Sequence, residues 1–108
     1  MRTVLCGLMV LGVGSVLSAG QLYGNIFLNG QPLRGVPVAL NCSGEGTQGS
    51  TDGDGIYRVF VRTNGGCTLI VDPGGRNAAA PVYSYDRPTA YNFDLVNQGG
   101  RWELILRK

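Results

Sequence analysis

Apolar and polar residues alternate in short runs along most of the chain after position 20. This period of two is typical of strands that bury one face. In residues 67–71, for example, Cys67, Leu69 and Val71 share one face. No long helical periodicity occurs after position 20, so the pattern predicts an all-β domain. The predicted strands cover residues 22–28, 36–42, 48–51, 56–61, 67–71, 82–85, 91–96 and 102–107.

Glycine-rich turn signals separate these runs at intervals of about ten residues, a spacing typical of an all-β sandwich. Asn29-Gly30 is a strong hairpin signal. Residues 43–49 are predicted as a polar loop and residues 77–80 as an open connection. Because Pro37 has no N–H for a strand ladder, its strand is expected at a sheet edge or at a bend. Together the pattern predicts a small Greek-key-type β-sandwich of seven or eight short strands.

The first 20 residues have the composition of a targeting segment. A short positive start at Met1–Thr3 precedes an uncharged apolar run over residues 4–17, and small residues follow at Ser18–Gly20. This order predicts a signal peptide over residues 1–20, cleaved before a domain of residues 21–108. The apolar run is shorter than the roughly 20 residues that span a bilayer. We therefore expect no membrane span in the mature chain, and an exported protein that is periplasmic or secreted.

Export decides how the cysteines are interpreted. Cys6 leaves with the signal peptide, whereas Cys42 and Cys67 remain. Two cysteines in an oxidising compartment predict one disulfide, and closing a loop of this length stabilises a fold by about 3 kcal/mol. The pair has neither the Cys-x-x-Cys spacing of redox motifs nor a histidine partner for a metal site.

Two segments resemble the carboxypeptidase regulatory-like domain. The first is Gly24-Asn25-Ile26 with the run from Asn29 to Leu40, which contains Gly35-Val36-Pro37-Val38-Ala39-Leu40, and the second is Thr51-Asp52-Gly53-Asp54-Gly55-Ile56-Tyr57. The resemblance extends from Leu22 to about Val71. It implies a transthyretin-like β-sandwich, usually without catalytic activity of its own, that serves as a folding, docking or spacer unit. The stretch after Asp72 is less typical of the family.

The composition removes several kinds of chemistry. The chain has no His, and Lys108 is its only lysine. Ser-His and Cys-His dyads, histidine-based zinc sites and an internal lysine nucleophile are therefore excluded. Transthyretin-like hydrolases need a His, and the Lys–Asn crosslink of pilin-type sandwiches needs a core Lys, so neither chemistry is expected. Without Arg2, which leaves with the predicted signal peptide, the net charge falls from +2 to about +1 and gives no reason to expect a nucleic-acid partner.

Asp52-Gly53-Asp54-Gly55 is the one segment that suggests a metal. A calcium loop of the EF-hand type would need a third oxygen ligand where Ile56 stands, and a Glu further along at the required spacing. Aspartate also favours turns through its own side-chain hydrogen bonds. We expect a structural turn here, with no metal, cofactor or catalytic residue.

Aromatic residues cluster late in the chain, at Tyr83, Tyr85, Tyr91 and Trp102. Aromatic rings stack on sugars and tyrosine hydroxyls form hydrogen bonds, so these four are the candidate ligand-binding residues. The alternative is that they fill the core or cover its rim, as strand-forming aromatics commonly do.

The resulting expectation is an exported, non-enzymatic, monomeric module that serves as a binding or structural accessory to an envelope or extracellular component. Contacts with a protein partner are expected at the edge strand carrying Pro37 or at the loop over residues 73–81. Three alternatives stay open. The first is a carbohydrate-binding module that uses the late aromatics, and the second is a subunit of a surface fibre that assembles by strand exchange. The third is an enzyme with a Ser, Thr or Tyr nucleophile, for which only carboxylates remain as base partners.

Overall fold

The computed structural model describes residues 20–107 of the chain, and these residues form strands and turns without a helix. The predicted signal peptide lies outside the described residues, except for Gly20. None of the described segments is a helix able to cross a membrane. The ten strands are β1 (Gln21–Leu28), β2 (Gln31–Pro32), β3 (Pro37–Cys42), β4 (Glu45–Ser50), β5 (Ile56–Phe60), β6 (Gly65–Val71), β7 (Ala78–Ser84), β8 (Thr89–Ala90), β9 (Phe93–Gln98) and β10 (Arg101–Leu106).

The strands form two sheets that pack face to face, which confirms the predicted all-β sandwich. In the first sheet β1 is central, with β5 and β2 along one side, β8 and β9 along the other, and β10 beyond β9. In the second sheet the order is β4-β3-β6-β7. β1 runs antiparallel to β5 and parallel to β9, and the chain passes repeatedly from one sheet to the other.

The core lies between the sheets because alternate residues of each strand point inward. On β6, for example, Cys67, Leu69 and Val71 are buried as the sequence predicts. Tyr57 is fully buried between the layers, a position that its alternation with Arg58 also indicates. Apolar burial on both inner faces is the main term that holds the sandwich together.

Two predicted loops are strands in the structure. β4 starts at Glu45 because Ser43-Gly44 already makes a two-residue turn, with φ of 44° and 90°. The small polar residues of β4 carry no apolar alternation, so the pattern gave no strand signal before position 48. β7 starts at Ala78 rather than Val82, because the inward-facing Ala78 and Ala80 pack into the core although alanine is a weak strand former.

The placement of Pro37 at a sheet edge was wrong. β3 is hydrogen-bonded to β4 on one side and to β6 on the other, so it is central. Pro37 is tolerated because it is the first residue of the strand, where a missing N–H costs no interior ladder bond. Its carbonyl still accepts a hydrogen bond from the Asp72 N–H at 2.8 Å.

The prediction of a long loop over residues 73–81 was also wrong. A short turn after Asp72 leads directly into β7, which begins at Ala78.

The predicted disulfide between Cys42 and Cys67 is present, and it joins neighbouring strands of the second sheet. The register that pairs Asn41 with Thr68 places the two cysteines directly opposite each other. Their Cα atoms are 4.3 Å apart, which matches a non-hydrogen-bonded antiparallel pair. Both side chains are buried, so the bond is part of the core.

Glu45 closes one side of the sandwich by joining β4 to the loop after β5. Its carboxylate accepts hydrogen bonds from the Thr63 hydroxyl at 2.6 Å and from the backbone N–H groups of Arg62 and Thr63. The Thr63 hydroxyl, followed by the Arg62 N–H, lowers the pKa of Glu45. The second sheet is thereby fastened to the first through one ionised side chain.

Replacing both Cys42 and Cys67 with Ala is expected to lower the free energy of unfolding by about 3 kcal/mol, because the unfolded chain regains the entropy of an open loop. Urea unfolding of the two proteins, monitored by tyrosine and tryptophan fluorescence, measures the difference. Equal midpoints with equal slopes would show that the disulfide does not stabilise the fold.

Replacing Glu45 with Gln is expected to lower stability at neutral pH but to matter progressively less in acid. A carboxyl whose pKa falls on folding contributes stability above its unfolded pKa, and the contribution is lost as the pH falls through the folded pKa. Thermal unfolding of both proteins at neutral pH and in acid measures this convergence. A stability gap that stays constant down to the most acid pH would contradict this role of Glu45.

Candidate functional site

Two of the four candidate aromatics, Tyr83 and Tyr85, form an exposed pair at the end of β7. Their side chains are 49% and 41% exposed, and their ring centroids lie 5.0 Å apart with a 33° angle between the planes. A large aromatic side chain normally gains about 1.5–3 kcal/mol by burial. Two adjacent aromatic rings left in solvent are therefore a candidate contact surface.

The exposure of Tyr83 follows from the residue that faces it across the sheet. The strand register places Gly66 directly opposite, and Gly66 has no side chain to cover the ring. A Cβ added at Gly66 would meet no atom within 4 Å, so the space beside Tyr83 is open. On the other side, the Arg87 guanidinium lies 5.9 Å from the centre of the Tyr85 ring, close enough for a cation–π contact.

The outward face of the second sheet carries no charged side chain. Its outward positions on β3, β4, β6 and β7 hold only Pro, Ala, Asn, Gly, Gln, Ser, Thr, Ile and Tyr. Glu45, the one charged residue of these strands, belongs to the inward set of β4. The Tyr83–Tyr85 pair therefore borders a neutral sheet face.

Tyr91 has a structural position beneath this pair. Its hydroxyl accepts a hydrogen bond from the Tyr83 N–H at 3.0 Å and lies 3.4 Å from the Tyr83 carbonyl oxygen. Its own N–H donates to the Tyr23 carbonyl, and its carbonyl accepts from the Tyr57 hydroxyl at 2.8 Å. Its ring is partly buried and nearly parallel to that of Phe93. Tyr91 thus links β1 and β5 to the edge of β7, and we name these contacts the Tyr91 clamp.

The clamp depends on a glycine in β1. A Cβ added at Gly24 would lie 2.0 Å from the Tyr91 carbonyl oxygen, so only glycine allows this approach. Gly24 also has a φ of 154°, which favours glycine for a second reason. The adjoining Asn92 side chain accepts the Asn25 N–H at 2.8 Å. Burial raises the pKa of Tyr57, so its hydroxyl stays protonated and donates to Tyr91.

Trp102 is placed apart from the other aromatics. It lies on β10, half-buried against the core, and the Arg76 guanidinium sits 5.2 Å from its ring centre. Asp72 holds Arg76 through a 3.1 Å contact in the turn that precedes β7. That turn is at the opposite end of β7 from Tyr83, so Trp102 does not extend the exposed pair into a row.

Asp52 organises a turn, as the sequence predicts. Its Oδ1 accepts hydrogen bonds from the Asp54 N–H at 2.9 Å and the Ile56 N–H at 3.0 Å. The pKa of Asp52 is lowered most by the hydrogen bond from the Ile56 N–H and next by the bond from the Asp54 N–H. Within residues 20–107 no three or more His, Cys, Asp or Glu side chains come together as a metal site would require.

Exposed aromatics on the first sheet were not singled out by the sequence. Tyr23 on β1 and Phe60 on β5 both point outward. Period-two alternation groups Phe60 with Ile56 and Arg58, but it does not say which face of the strand meets solvent. The sequence also did not reveal that Gly66 leaves the Tyr83 ring uncovered, because a glycine beside a turn does not indicate which residue faces it on the next strand.

Comparison with known proteins finds no family model that matches this chain and no curated protein that matches it. The resemblance to the carboxypeptidase regulatory-like domain therefore stays a prediction.

Replacing Tyr57 with Phe is expected to cost about 1–3 kcal/mol of folding free energy, because the Tyr91 carbonyl loses its buried donor. Tyr85→Phe is the matched control, since it removes an exposed hydroxyl and should change stability by about 0.5 kcal/mol or less. Urea unfolding of both variants measures the effects. Equal losses in the two variants would contradict the clamp.

Proposed function

We propose that this chain is an exported, non-enzymatic β-sandwich module that acts as a binding or structural accessory to a component of the envelope or extracellular space. The observation that carries the proposal is the exposed Tyr83–Tyr85 pair beside a neutral sheet face. Aromatic side chains supply large contact area at low entropic cost, which is why binding surfaces are rich in tyrosine.

Export is supported by the composition of residues 1–20 and by the buried disulfide. Disulfides persist in oxidising compartments and are rare in the cytosol. The bond between Cys42 and Cys67 is built into the core, where it suits a permanent staple better than a redox switch.

The absence of enzymatic activity is supported by the lack of any His and of an internal Lys. The two carboxylates with lowered pKa, Glu45 and Asp52, are occupied by structural hydrogen bonds to the chain itself. An ionised carboxylate bonded in this way is a poor general acid at neutral pH. The resemblance to the carboxypeptidase regulatory-like domain points in the same direction.

We propose a protein as the bound component, and a saccharide is the second candidate. The neutral sheet face favours the saccharide, because sugars bind through ring stacking and neutral hydrogen-bonding groups rather than through charge. Asn41, Gln48 and Thr68 are outward-facing amide and hydroxyl groups on that face. Both candidates use Tyr83 and Tyr85, so the same variants test them.

The test uses the exported protein with a photo-crosslinker, recovered from the exported fraction of its own cells and analysed by mass spectrometry. A parallel assay uses cellulose, chitin and peptidoglycan as insoluble probes. Replacing Tyr83 and Tyr85 together with Ala is expected to weaken binding about tenfold or more, as loss of central aromatic anchors does. Tyr23→Ala is the matched control, because it removes an exposed tyrosine ring from the opposite sheet.

Gly66→Val provides a second variant that leaves both tyrosines in place. A valine there has room, and it would lie directly opposite Tyr83 and cover the ring. We expect binding to fall while the melting temperature stays equal or rises, since aromatic and β-branched side chains pair well across strands.

The outcomes of the assays separate the two candidates. Crosslinking to one specific protein supports the protein partner, and retention by a polysaccharide alone supports the saccharide. Loss of binding with Tyr23→Ala but not with the Tyr83 and Tyr85 change would contradict the site.

A further inference from the structure

Four strands of five or more residues pair with a single neighbour, β4, β5, β7 and β10, and the two-residue strands β2 and β8 also pair with β1 alone. Each presents a row of backbone N–H and C=O groups that its single partner strand leaves free. Such rows are templates for pairing with another strand, and proteins usually block them. The four edges of this sandwich differ in how they are blocked.

At the β7 edge, three features prevent the backbone from pairing with an added strand. Pro81 has no N–H to offer, and the Tyr91 hydroxyl occupies the Tyr83 N–H. Just beyond the strand, the Tyr85 carbonyl accepts the Gly20 N–H at 3.2 Å. An added strand would meet no continuous ladder here.

The β4 and β5 edges cover each other. The backbone of Gly49 is so near β5 that an added Cβ would lie 2.9 Å from the Arg58 carbonyl oxygen. The Ile56 carbonyl accepts the Asp52 N–H, and Glu45 occupies the N–H of Arg62. β4 also presents no large apolar side chain that an added strand could bury.

β10 comes close to β7, the edge strand of the second sheet, much as β4 comes close to β5, but among the described residues no hydrogen bond joins its free backbone groups to β7. The hydrogen bond from the Arg107 N–H to the Asn92 carbonyl, together with the strand register, shows that Arg101, Glu103, Ile105 and Arg107 direct their backbone groups toward β9. By antiparallel alternation, the backbone groups of Trp102, Leu104 and Leu106 point away from β9. β10 is hydrogen-bonded to β9 alone among the described strands. Ile105 and Leu106 are 44% and 47% exposed, so apolar side chains flank this open edge.

We propose that β10 pairs with β10 of a second copy of this chain, antiparallel and about a two-fold axis at Ile105. In this register Leu104 and Leu106 of each copy exchange backbone hydrogen bonds, and the first sheets of the two copies become one continuous sheet. The proposal departs from the monomer expected from the sequence and does not depend on the Tyr83–Tyr85 site.

Charge complementarity, together with coverage of Ile105 and Leu106, selects this register. With the axis at Ile105, Glu103 of each copy stands opposite Arg107 of the other, on the outward face. An axis at Leu104 would place Arg101 opposite Arg107, and an axis at Glu103 would place two glutamates together. An axis at Trp102 would also pair opposite charges, Glu103 with Arg101, but it would leave Ile105 and Leu106 uncovered. In the single copy the Arg107 guanidinium lies beside Asp94 and 4.2 Å from the centre of the Phe27 ring, so this 45% exposed side chain has to turn toward the free edge to reach Glu103 of the second copy.

The test is a charge-swap cycle on the purified exported protein, with its mass measured over a range of concentrations by sedimentation. We expect a concentration-dependent dimer. Glu103→Arg and Arg107→Glu, each alone, replace two attractive pairs with two repulsive ones and should weaken dimerisation about tenfold. The double variant E103R/R107E restores the pairs and should restore the dimer. A double variant as weak as the single ones would overturn the register.

Leu106→Pro tests the edge itself, because it removes an N–H that points away from β9. It should abolish the dimer, whereas Gln48→Pro on the β4 edge should leave the dimer intact. Circular dichroism of every variant shows whether it is folded. A wild-type protein that stays monomeric at every concentration, or a dimer that persists in Leu106→Pro, would overturn the proposal.

Discussion

The contact between the Tyr91 hydroxyl and the backbone of Tyr83 connects the fold to its candidate site. Tyr91 is held from the first sheet, through the Tyr23 carbonyl and the Tyr57 hydroxyl, and it reaches the edge of the second sheet. This arrangement satisfies an edge N–H and fixes the strand end from which Tyr83 and Tyr85 project. It requires the close approach that only Gly24 permits, so one residue without a side chain supports the whole clamp.

A small sandwich has open sheet edges, and several of the polar contacts among the described residues occupy the backbone groups there. Glu45 and Gly49 close one side, and Tyr91 with Pro81 closes the β7 edge on the other. The contacts that hold the two sheets together therefore do not use the outward side chains of the second sheet. For this reason a neutral face bordered by two exposed tyrosines does not destabilise the fold.

The sequence predicts those features that depend on local chemistry. Strand alternation predicts the core positions of β6, the Asp52 turn follows from aspartate's own hydrogen bonds, and export with two cysteines predicts the disulfide. Features that depend on a neighbour distant in the chain were missed. Pro37 resembles an edge residue until β6 is known to lie beside β3, and the alanines of β7 resemble a loop until the core that covers them is known. Tyr91 and Trp102 look equivalent to Tyr83 in the sequence, and only their partners separate them.

Amide hydrogen exchange at Tyr83, in the wild-type protein and in Tyr91→Phe, tests the clamp most directly. Ala79 is the internal reference, because its N–H also points to the free side of β7 by strand alternation. The account predicts that the Tyr83 amide exchanges far more slowly than the Ala79 amide in the wild type, and that Tyr91→Phe removes this protection while core amides stay protected. Equal exchange at Tyr83 and Ala79 in the wild type would contradict it.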